Sequence, residues 1–574
     1  MAALRSPEGV PDSRGLNLYE ADPSYAGLLG LHLGNDLHAH LSPHFVRLGA
    51  MAGAELDELA LTADKNPSTL LPNNQVEKHE AYKRLEKVAF ADYGLAAMSH
   101  RGGVLGWPEP LPPAAKYALS YLYVQAEFGI CCPLSMTDAL TRTIRKFADP
   151  ALVARYLPGL TSQDMDTLTQ GAMFMTEQQA GSDVGGVKTI ARKQQDHWLL
   201  DGDKWFCSNA DAGLALVLAR PEGAPAGTGG LSLFLLPRVL PDGSPNRYRI
   251  QRLKDKLGTR AMPSGEIKLE GALAWLVGDP QQGFKQMADM INMSRLSNGM
   301  RAAGLMRRAL TEALFVARNR RAFGKPLIEL PLMRRQLLKL MLSTEAARSV
   351  LFFISEELKK SDAGVESSRK RVRLLTPLIK FRACRDARKV TGDAMEVRGG
   401  VGYTEEWSDP RLLRDAHLGS IWEGTSNIVA LDVLRAIGRE NCLEALLPVL
   451  DERIRRAPRL LAGRLAASLD KAAEFAHEVA STKDEAHARQ AATGLYYACA
   501  AALLADEGTR LGEQEGRPDA RRQLIAFLAY VHRLAPRDPL RRVTTGQEAE
   551  LADALLPETA LAPDAVAGML TRLA

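Results

Sequence analysis

Ser420-Ile421-Trp422-Glu423-Gly424-Thr425-Ser426-Asn427 places one carboxylate between a large aromatic residue and a glycine, just ahead of three short polar residues. An amphipathic run follows, with Ile428, Leu431, Leu434 and Ile437 on one face. Thr425, Ser426 and Asn427 are all good helix N-cap residues, so Glu423 falls on the loop that enters a helix. Gly424 lets that loop turn sharply or lets a ligand come close. The helix start behind it offers unpaired N–H groups and the positive end of a dipole, which suits a phosphate. Packed against Trp422, the Glu423 carboxylate is partly desolvated, as a proton acceptor should be. Taken alone, the octapeptide fits a surface turn equally well. The flanking sequence decides between the two.

Upstream of Glu423 the helical period runs long. Met287–Asn319, Leu332–Lys360 and Val372–Val397 each exceed an average helix, and three such helices predict a four-helix bundle over residues 281–440. Residues 173–280 have a different texture, with short alternating runs at His197–Leu200, Leu214–Ala219, Leu231–Leu236, Tyr248–Leu253 and Glu266–Leu269. This predicts an antiparallel β-barrel or sandwich, with Asp201-Gly202 as a hairpin turn. Residues 1–172 read as a helical domain, with Lys78–Ser99 and Ala114–Phe128 as helices. Residues 441–574 are an additional Ala/Leu/Arg-rich helical domain. The fold class expected is thus α+β and multidomain.

Composition excludes several functions. A chain of 574 residues is too long for one core, and a net charge of +5 is weak support for a polyanionic partner. The only close spacing among the six cysteines is the pair Cys131-Cys132, which makes neither a zinc ladder nor a disulfide framework. No run is long and apolar enough for a transmembrane helix, and Met1–Gly15 lacks the apolar stretch of a signal peptide. A cytoplasmic protein with no metal and no membrane partner is expected.

Five motifs then appear in order: Met175-Thr176-Glu177-Gln178-Gln179-Ala180-Gly181-Ser182-Asp183, Lys204-Trp205-Phe206-Cys207-Ser208-Asn209, Arg320-Arg321-Ala322-Phe323-Gly324, Glu396-Val397-Arg398-Gly399-Gly400-Val401-Gly402-Tyr403, and the Glu423 stretch. Together they resemble the acyl-CoA dehydrogenase superfamily. The form Met175–Asp183 and the extra C-terminal segment are similar to its alkylation-response (AidB-like) branch.

The resemblance implies FAD as cofactor. Met175 and Thr176 would meet the pyrimidine end of the flavin, Gly181 and Ser182 would approach flavin or thioester, and Phe206 and Ser208 would stand beside the ring. Arg320 and Phe323 would be lent to the pyrophosphate and adenine of a neighbouring subunit's FAD. Glu396, Gly399 and Gly400 would form the loop over that dinucleotide, with Trp422, Thr425 and Asn427 completing the site. Glu396 stands where the family usually has Gln, a carboxylate that Arg398 could offset. A site shared in this way requires an oligomer, a dimer of dimers.

The implied reaction is α,β-dehydrogenation of an acyl-CoA thioester to a trans-2-enoyl-CoA. Glu423 would be the base, and Ser182, Asn292, Arg295 and Gly424 would lie beside the substrate. An electron-transfer flavoprotein would be the acceptor, with molecular oxygen as the rival. The AidB-like resemblance also carries an alternative, a DNA-associated flavoprotein that protects against alkylation. Two arginine clusters could serve it, Arg453/Arg455/Arg456/Arg459 and Arg537/Arg541/Arg542. Residues 441–574 nevertheless hold 17 Lys/Arg against 19 Asp/Glu, which favours solvated helix faces over a phosphate-binding surface.

Overall fold

The computed structural model describes residues 9–536, 540 and 545–573. The chain forms two compact units that interleave in sequence. One comprises Met1–Glu55, Pro113–Ala126 and Asn298–Ala574, and the other Leu56–Pro112 and Glu127–Ser297.

The first unit is helical. Its N-terminal part supplies α1 (Tyr25–Leu33) and α2 (Asn35–Gly53). α3 (Glu55–Lys65) begins at its edge, and α4 (Glu80–Lys87) belongs to the second unit. α5 (Pro113–Tyr123) returns to the first unit and is buried along its whole length. After α6 (Cys131–Phe147) and α7 (Pro150–Leu160) of the second unit comes the long α8 (Gly283–Asn319). α9 (Pro331–Asp362) and α10 (Glu366–Arg398) follow as two more helices of eight or nine turns. Pro331 sits at the first turn of α9, where its missing N–H costs nothing and its fixed φ suits a helix. α10 packs against α9, α11 (Ser408–Gly419), α12 (Ser426–Glu440), α13 (Cys442–Arg455) and α15 (Ala488–Gly512). α14 (Arg459–Thr482), α16 (Arg521–Ala529), α17 (Thr545–Leu555) and α18 (Pro563–Leu573) complete the unit.

The second unit is built on seven strands: β1 (Gly171–Phe174), β2 (Ile190–Lys193), β3 (Trp198–Ser208), β4 (Leu214–Pro221), β5 (Ser232–Pro237), β6 (Tyr248–Leu253) and β7 (Ser264–Val277). Their order is β1-β4-β2-β3-β7-β5, with β5 also paired to β4 and β6 laid on β7, so the ladder closes into a barrel. The sheet is mixed rather than antiparallel as expected, because β1 and β2 both run parallel to β4. Phe174, Leu200, Val217, Phe234, Leu236, Ile250 and Ile267 fill the interior. Truncating Phe234 there to alanine would cost about 3–5 kcal/mol.

Three local expectations are corrected. Asp201-Gly202 is not a hairpin turn but lies inside β3, next to a register shift between Leu200 and Asp201. Its glycine is required by packing, since a Cβ there would stand 2.6 Å from Thr189 Oγ1. The helix expected over Lys78–Ser99 stops early, because α4 passes into a π-turn at Val88–Asp92 and the chain then reverses at Gly94, φ +56°. The helix expected over Ala114–Phe128 ends at Tyr123.

Candidate functional site

In the first unit the loop between α11 and α12 carries Trp422, Glu423 and Gly424. Glu423 has φ 49° and Gly424 φ 100°, two successive left-handed residues that turn the chain into α12. Thr425, one of the three candidates, is the N-cap in extended geometry, with no hydrogen bond from its side chain to the helix start. The half-buried Glu423 accepts a hydrogen bond at Oε2 from Asn298 Nδ2 at 2.6 Å. Lys380 of α10, itself buried, donates to the Gly424 carbonyl. The buried Arg301 guanidinium lies 4.6 Å over the Trp422 ring. Asn427 is exposed on the first turn of α12.

The Arg320 and Gly399 segments meet in the same unit. Arg320 Nη1 donates to the Arg398 carbonyl at 2.5 Å, and a Cβ on Gly399 (φ 72°) would stand 3.3 Å from that nitrogen. Phe323 and Gly324 are the central pair of a tight hairpin between Arg321–Ala322 and Lys325–Pro326, with φ 52° and 76°. Such a turn needs two positive φ values, which Phe adopts only under strain. The strained ring is 92% exposed.

Arg398 does not offset Glu396 as expected. Glu396 faces out from the last turn of α10, while Arg398 is buried and donates to Glu312 at 2.6 Å and Asp409 at 2.9 Å. Burial, with Glu312 close by, pushes the Asp409 carboxyl up to about 6 in spite of Arg398.

The second unit holds the other candidates. Met175 and Thr176 leave β1 half-buried, Glu177 and Ala180 exchange backbone hydrogen bonds in a tight turn, and Gly181 and Ser182 follow it exposed. Trp205 N donates to Thr176 O at 2.8 Å, tying this turn to the Lys204–Asn209 segment. There Phe206 has φ 55° and is 59% exposed, and Ser208 closes β3 half-buried. Lys254 Nζ stands 3.2 Å from the Trp205 ring centroid and 4.8 Å from that of Phe206. Asn292 and Arg295 lie half-buried on the first part of α8.

A buried ion pair missed at the sequence level holds the two segments together. Lys204 Nζ donates to Glu177 Oε1 at 2.8 Å and to Leu218 O at 2.8 Å. Glu177 also accepts from Thr189 Oγ1 at 2.6 Å and from the N–H groups of Lys188 and Thr189. Burial alone would raise the Glu177 carboxyl, but Lys204 and these donors hold it below its ordinary value. The signal was present in the sequence, since each partner sits inside a quoted motif.

Of the C-terminal arginines, Arg453 turns inward to the buried Asp506 and lies 3.3 Å from Glu356, and Arg456, itself exposed, reaches Asp506 and Glu452. Arg455 and Arg459 are exposed. Arg537, Arg541 and Arg542 lie outside the described residues. Among the described residues no cluster of His, Cys, Asp and Glu is placed to hold a metal, and no helix is long and apolar enough to cross a membrane.

Three family descriptions match in series: "Adaptive response protein AidB N-terminal domain" over residues 9–167, "Acyl-CoA dehydrogenase, middle domain" over 172–272, and "Acyl-CoA dehydrogenase, C-terminal domain" over 281–438. The chain is 36% identical over 421 residues to AidB of Escherichia coli (strain K12), covering 70% of this chain and 74% of that protein. The solved structure of Caenorhabditis elegans ACDH-11 in complex with C11-CoA superposes with a TM-score of 0.83 at 25% identity, covering 94% of this chain and 95% of that one. The apo form of Bd2924 gives 0.78 at 33% identity, covering 87% and 99%. The chain belongs to the acyl-CoA dehydrogenase family and is an FAD-dependent oxidoreductase.

The residues present fit that cofactor. Arg320 presents a planar fork suited to a pyrophosphate, and a Cβ added at Gly324 or Gly400 would meet nothing within 4 Å. The rings of Phe206 and Phe323 are exposed, as stacking partners would be.

Proposed function

We propose that this chain catalyses α,β-dehydrogenation of an acyl-CoA thioester, with Glu423 as the base. The observation that carries the reading is the Glu423 turn itself. A carboxylate is held by a buried amide at 2.6 Å on two consecutive left-handed residues, at the place the family motif assigns to its base. Residues held in sparsely populated backbone conformations cluster at active sites and ligand clamps.

Glu423 takes the α-proton, the Cα–Cβ double bond forms, and a trans-2-enoyl thioester results. Bound FAD supplies the acceptor for the hydrogen and electron pair that leave the β-carbon. The α-proton of a thioester is weakly acidic, so donors aimed at the thioester oxygen carry much of the barrier, and the Glu423 backbone N–H is assigned that task. Ser182, Asn292, Arg295 and Gly424 position the substrate. Met175, Thr176, Gly181, Ser182, Phe206, Ser208, Arg320, Phe323, Glu396, Gly399, Gly400, Trp422, Thr425 and Asn427 are the residues assigned to FAD. The exposed, strained Phe323 supports its loan to a second subunit, and hence a dimer of dimers.

The C11-CoA complex of ACDH-11 supports an acyl-CoA substrate, and an electron-transfer flavoprotein is the proposed acceptor. Anaerobic mixing with acyl-CoAs of graded chain length should bleach the visible flavin band for at least one of them. In Glu423→Gln the bleaching should disappear while FAD stays bound. Wild-type bleaching in that variant would place the base elsewhere.

A further inference from the structure

Asn298 stands one turn beyond Arg295 on α8, 1% exposed, with its amide on the Glu423 carboxylate. Its backbone is fixed where α8 meets α10. The Cys384 thiol donates to Asn298 O at 3.5 Å, and at the next residue a Cβ on Gly299 would stand 2.9 Å from the Ile379 side chain. The loop on either side of Glu423 is held as well, by Lys380 at Gly424 O and by Arg301 over Trp422. The carboxylate thus sits in a frame to which the buried residues Asn298, Lys380 and Arg301 contribute.

We propose that Asn298 is a positioning residue for the base: its N–H ties Oε2 and orients the carboxylate for proton abstraction. The inference rests on the reading of Glu423 as base. A neutral amide suits the task for a specific reason. It donates to a carboxylate at every pH without titrating, and the bond weakens once the carboxylate gains a proton. A lysine in the same place would hold the ionised form too firmly for the carboxylate to accept a proton readily.

The other charged or titratable groups around the loop are Arg301 on α8, Lys380, Cys384, Arg385 and Arg388 on α10, and His417 on α11. Arg388 reaches Ser420 Oγ at 3.3 Å and Arg385 reaches Ser426 Oγ at 3.5 Å. Burial pushes the Cys384 thiol up to about 11. His417 is shifted below its ordinary value by burial and Arg388. None of these is altered by substitution at 298, so a change in pH profile there reports on the amide.

The test compares wild type, Asn298→Leu and Asn298→Asp in their FAD-loaded fractions, with Glu423→Gln alongside. The rate of anaerobic flavin bleaching is followed against pH. Asn298→Leu keeps size and burial but donates nothing. Its rate should fall about tenfold or more, and its acid limb should move up by about one pH unit, as expected for a lost hydrogen bond to a charged group. Asn298→Asp sets a second carboxyl against the first, and two carboxylates in contact share a proton, so its limb should move further. The infrared carboxyl stretch of the protein without substrate, taken as the difference from Glu423→Gln, should titrate with the same displacements.

Damage to packing would lower the rate equally at all pH and leave the limb in place. Coincident acid limbs in the three proteins would overturn the inference, as would an unmoved infrared titration if one variant fails to load FAD. A Glu423→Gln protein that bleaches at the wild-type rate defeats the reading of the base. An inactive Glu423→Gln with coincident limbs defeats only the role of Asn298.

Discussion

Replacing Arg522 with methionine should cost the helical unit about 3–4 kcal/mol, although the residue lies far in sequence from every proposed site residue. Arg522 on α16 is 1% exposed and donates to Glu345 of α9 at 2.6 Å, Glu507 of α15 at 2.8 Å and Ser349 at 2.7 Å. It is one member of a buried chain of charges. Arg348 reaches Asp22, Ser24 and Glu345, Arg307 reaches Glu558 at 2.9 Å, and His32 reaches Glu356 at 2.7 Å. Burial by itself would raise both carboxyls. Arg348 and Arg522 bring Glu345 to about 2, and Arg522 with His32 and Ser349 brings Glu507 to about 2, against 4.5 for an ordinary glutamate.

At about 1.4 kcal/mol per pH unit the two carboxyls together represent roughly 7 kcal/mol. Arg522 shares that with its neighbours, and half of it agrees with the roughly 3–5 kcal/mol lost when a buried pair is broken. Methionine keeps most of the stem and removes the charge. Because both carboxyls are depressed in the fold, their contribution is present above pH 4.5 and is lost as pH falls toward 2. The variant should therefore show its full deficit at pH 7 and unfold in acid at a higher pH than wild type. Urea unfolding at pH 7 and an acid titration followed by circular dichroism measure both, with the exposed Arg455→Met as control. A deficit under about 1 kcal/mol, or an unmoved acid midpoint, would refute the reasoning.

Asp409 behaves in the opposite sense. Its carboxyl is raised from 3.8 to about 6, so its contribution is full below pH 3.8 and is lost as pH rises through 6. Thermal melts of Asp409→Asn should therefore compare better with wild type at pH 8 than at pH 5. Lys204→Met leaves Glu177 buried against its remaining donors and should cost about 3 kcal/mol or more in denaturant unfolding, with weaker FAD retention on gel filtration. Arg320→Ala with Phe323→Ala should weaken FAD retention while lowering the melting temperature of the apoprotein only slightly, by the lost Arg320 bond to the Arg398 carbonyl, since the Phe323 ring is 92% exposed; an FAD-loaded monomer in sedimentation would contradict the shared site. Arg455→Ser with Arg459→Ser tests the DNA alternative without disturbing the Arg453 and Arg456 pairs, and retention of duplex DNA should be weak and unchanged near physiological salt.

Much of the secondary structure was legible because periodicity is a local property. The three long helices and the strands at Leu214 and Tyr248 stand where the pattern put them to within about six residues, whereas the strand read at Glu266–Leu269 runs on to Val277. Register and sense of pairing are not local. Asp201-Gly202 carries the composition of a hairpin, and nothing within a few residues shows that Thr189 approaches so closely that only glycine fits. The C-terminal arginines teach the same lesson in charge. A linear count balances 17 basic against 19 acidic residues, but cannot show that Asp506 takes both Arg453 and Arg456. Arg398 was paired in the reading with its sequence neighbour Glu396, whereas the helix points the two in different directions and gives Arg398 to Glu312 and Asp409.

The candidate site divides along the same line. Its residue types were legible; the conformations that present them were not. Gly424, beside Glu423, suggested that the backbone freedom belonged to the glycine. The strain in fact reaches the neighbouring side chains: Phe323 has φ 52° and Glu423 φ 49°, and Phe206, with no adjacent glycine, has φ 55°. A bulky residue held there costs of order 1–3 kcal/mol. A chain selected only for stability would relieve that cost with glycine or asparagine. Glycine at 423 would remove the carboxylate, and at 206 or 323 the ring. The buried donors Asn298, Lys380 and Lys204 hold the segments that carry two of these residues, Glu423 and Phe206.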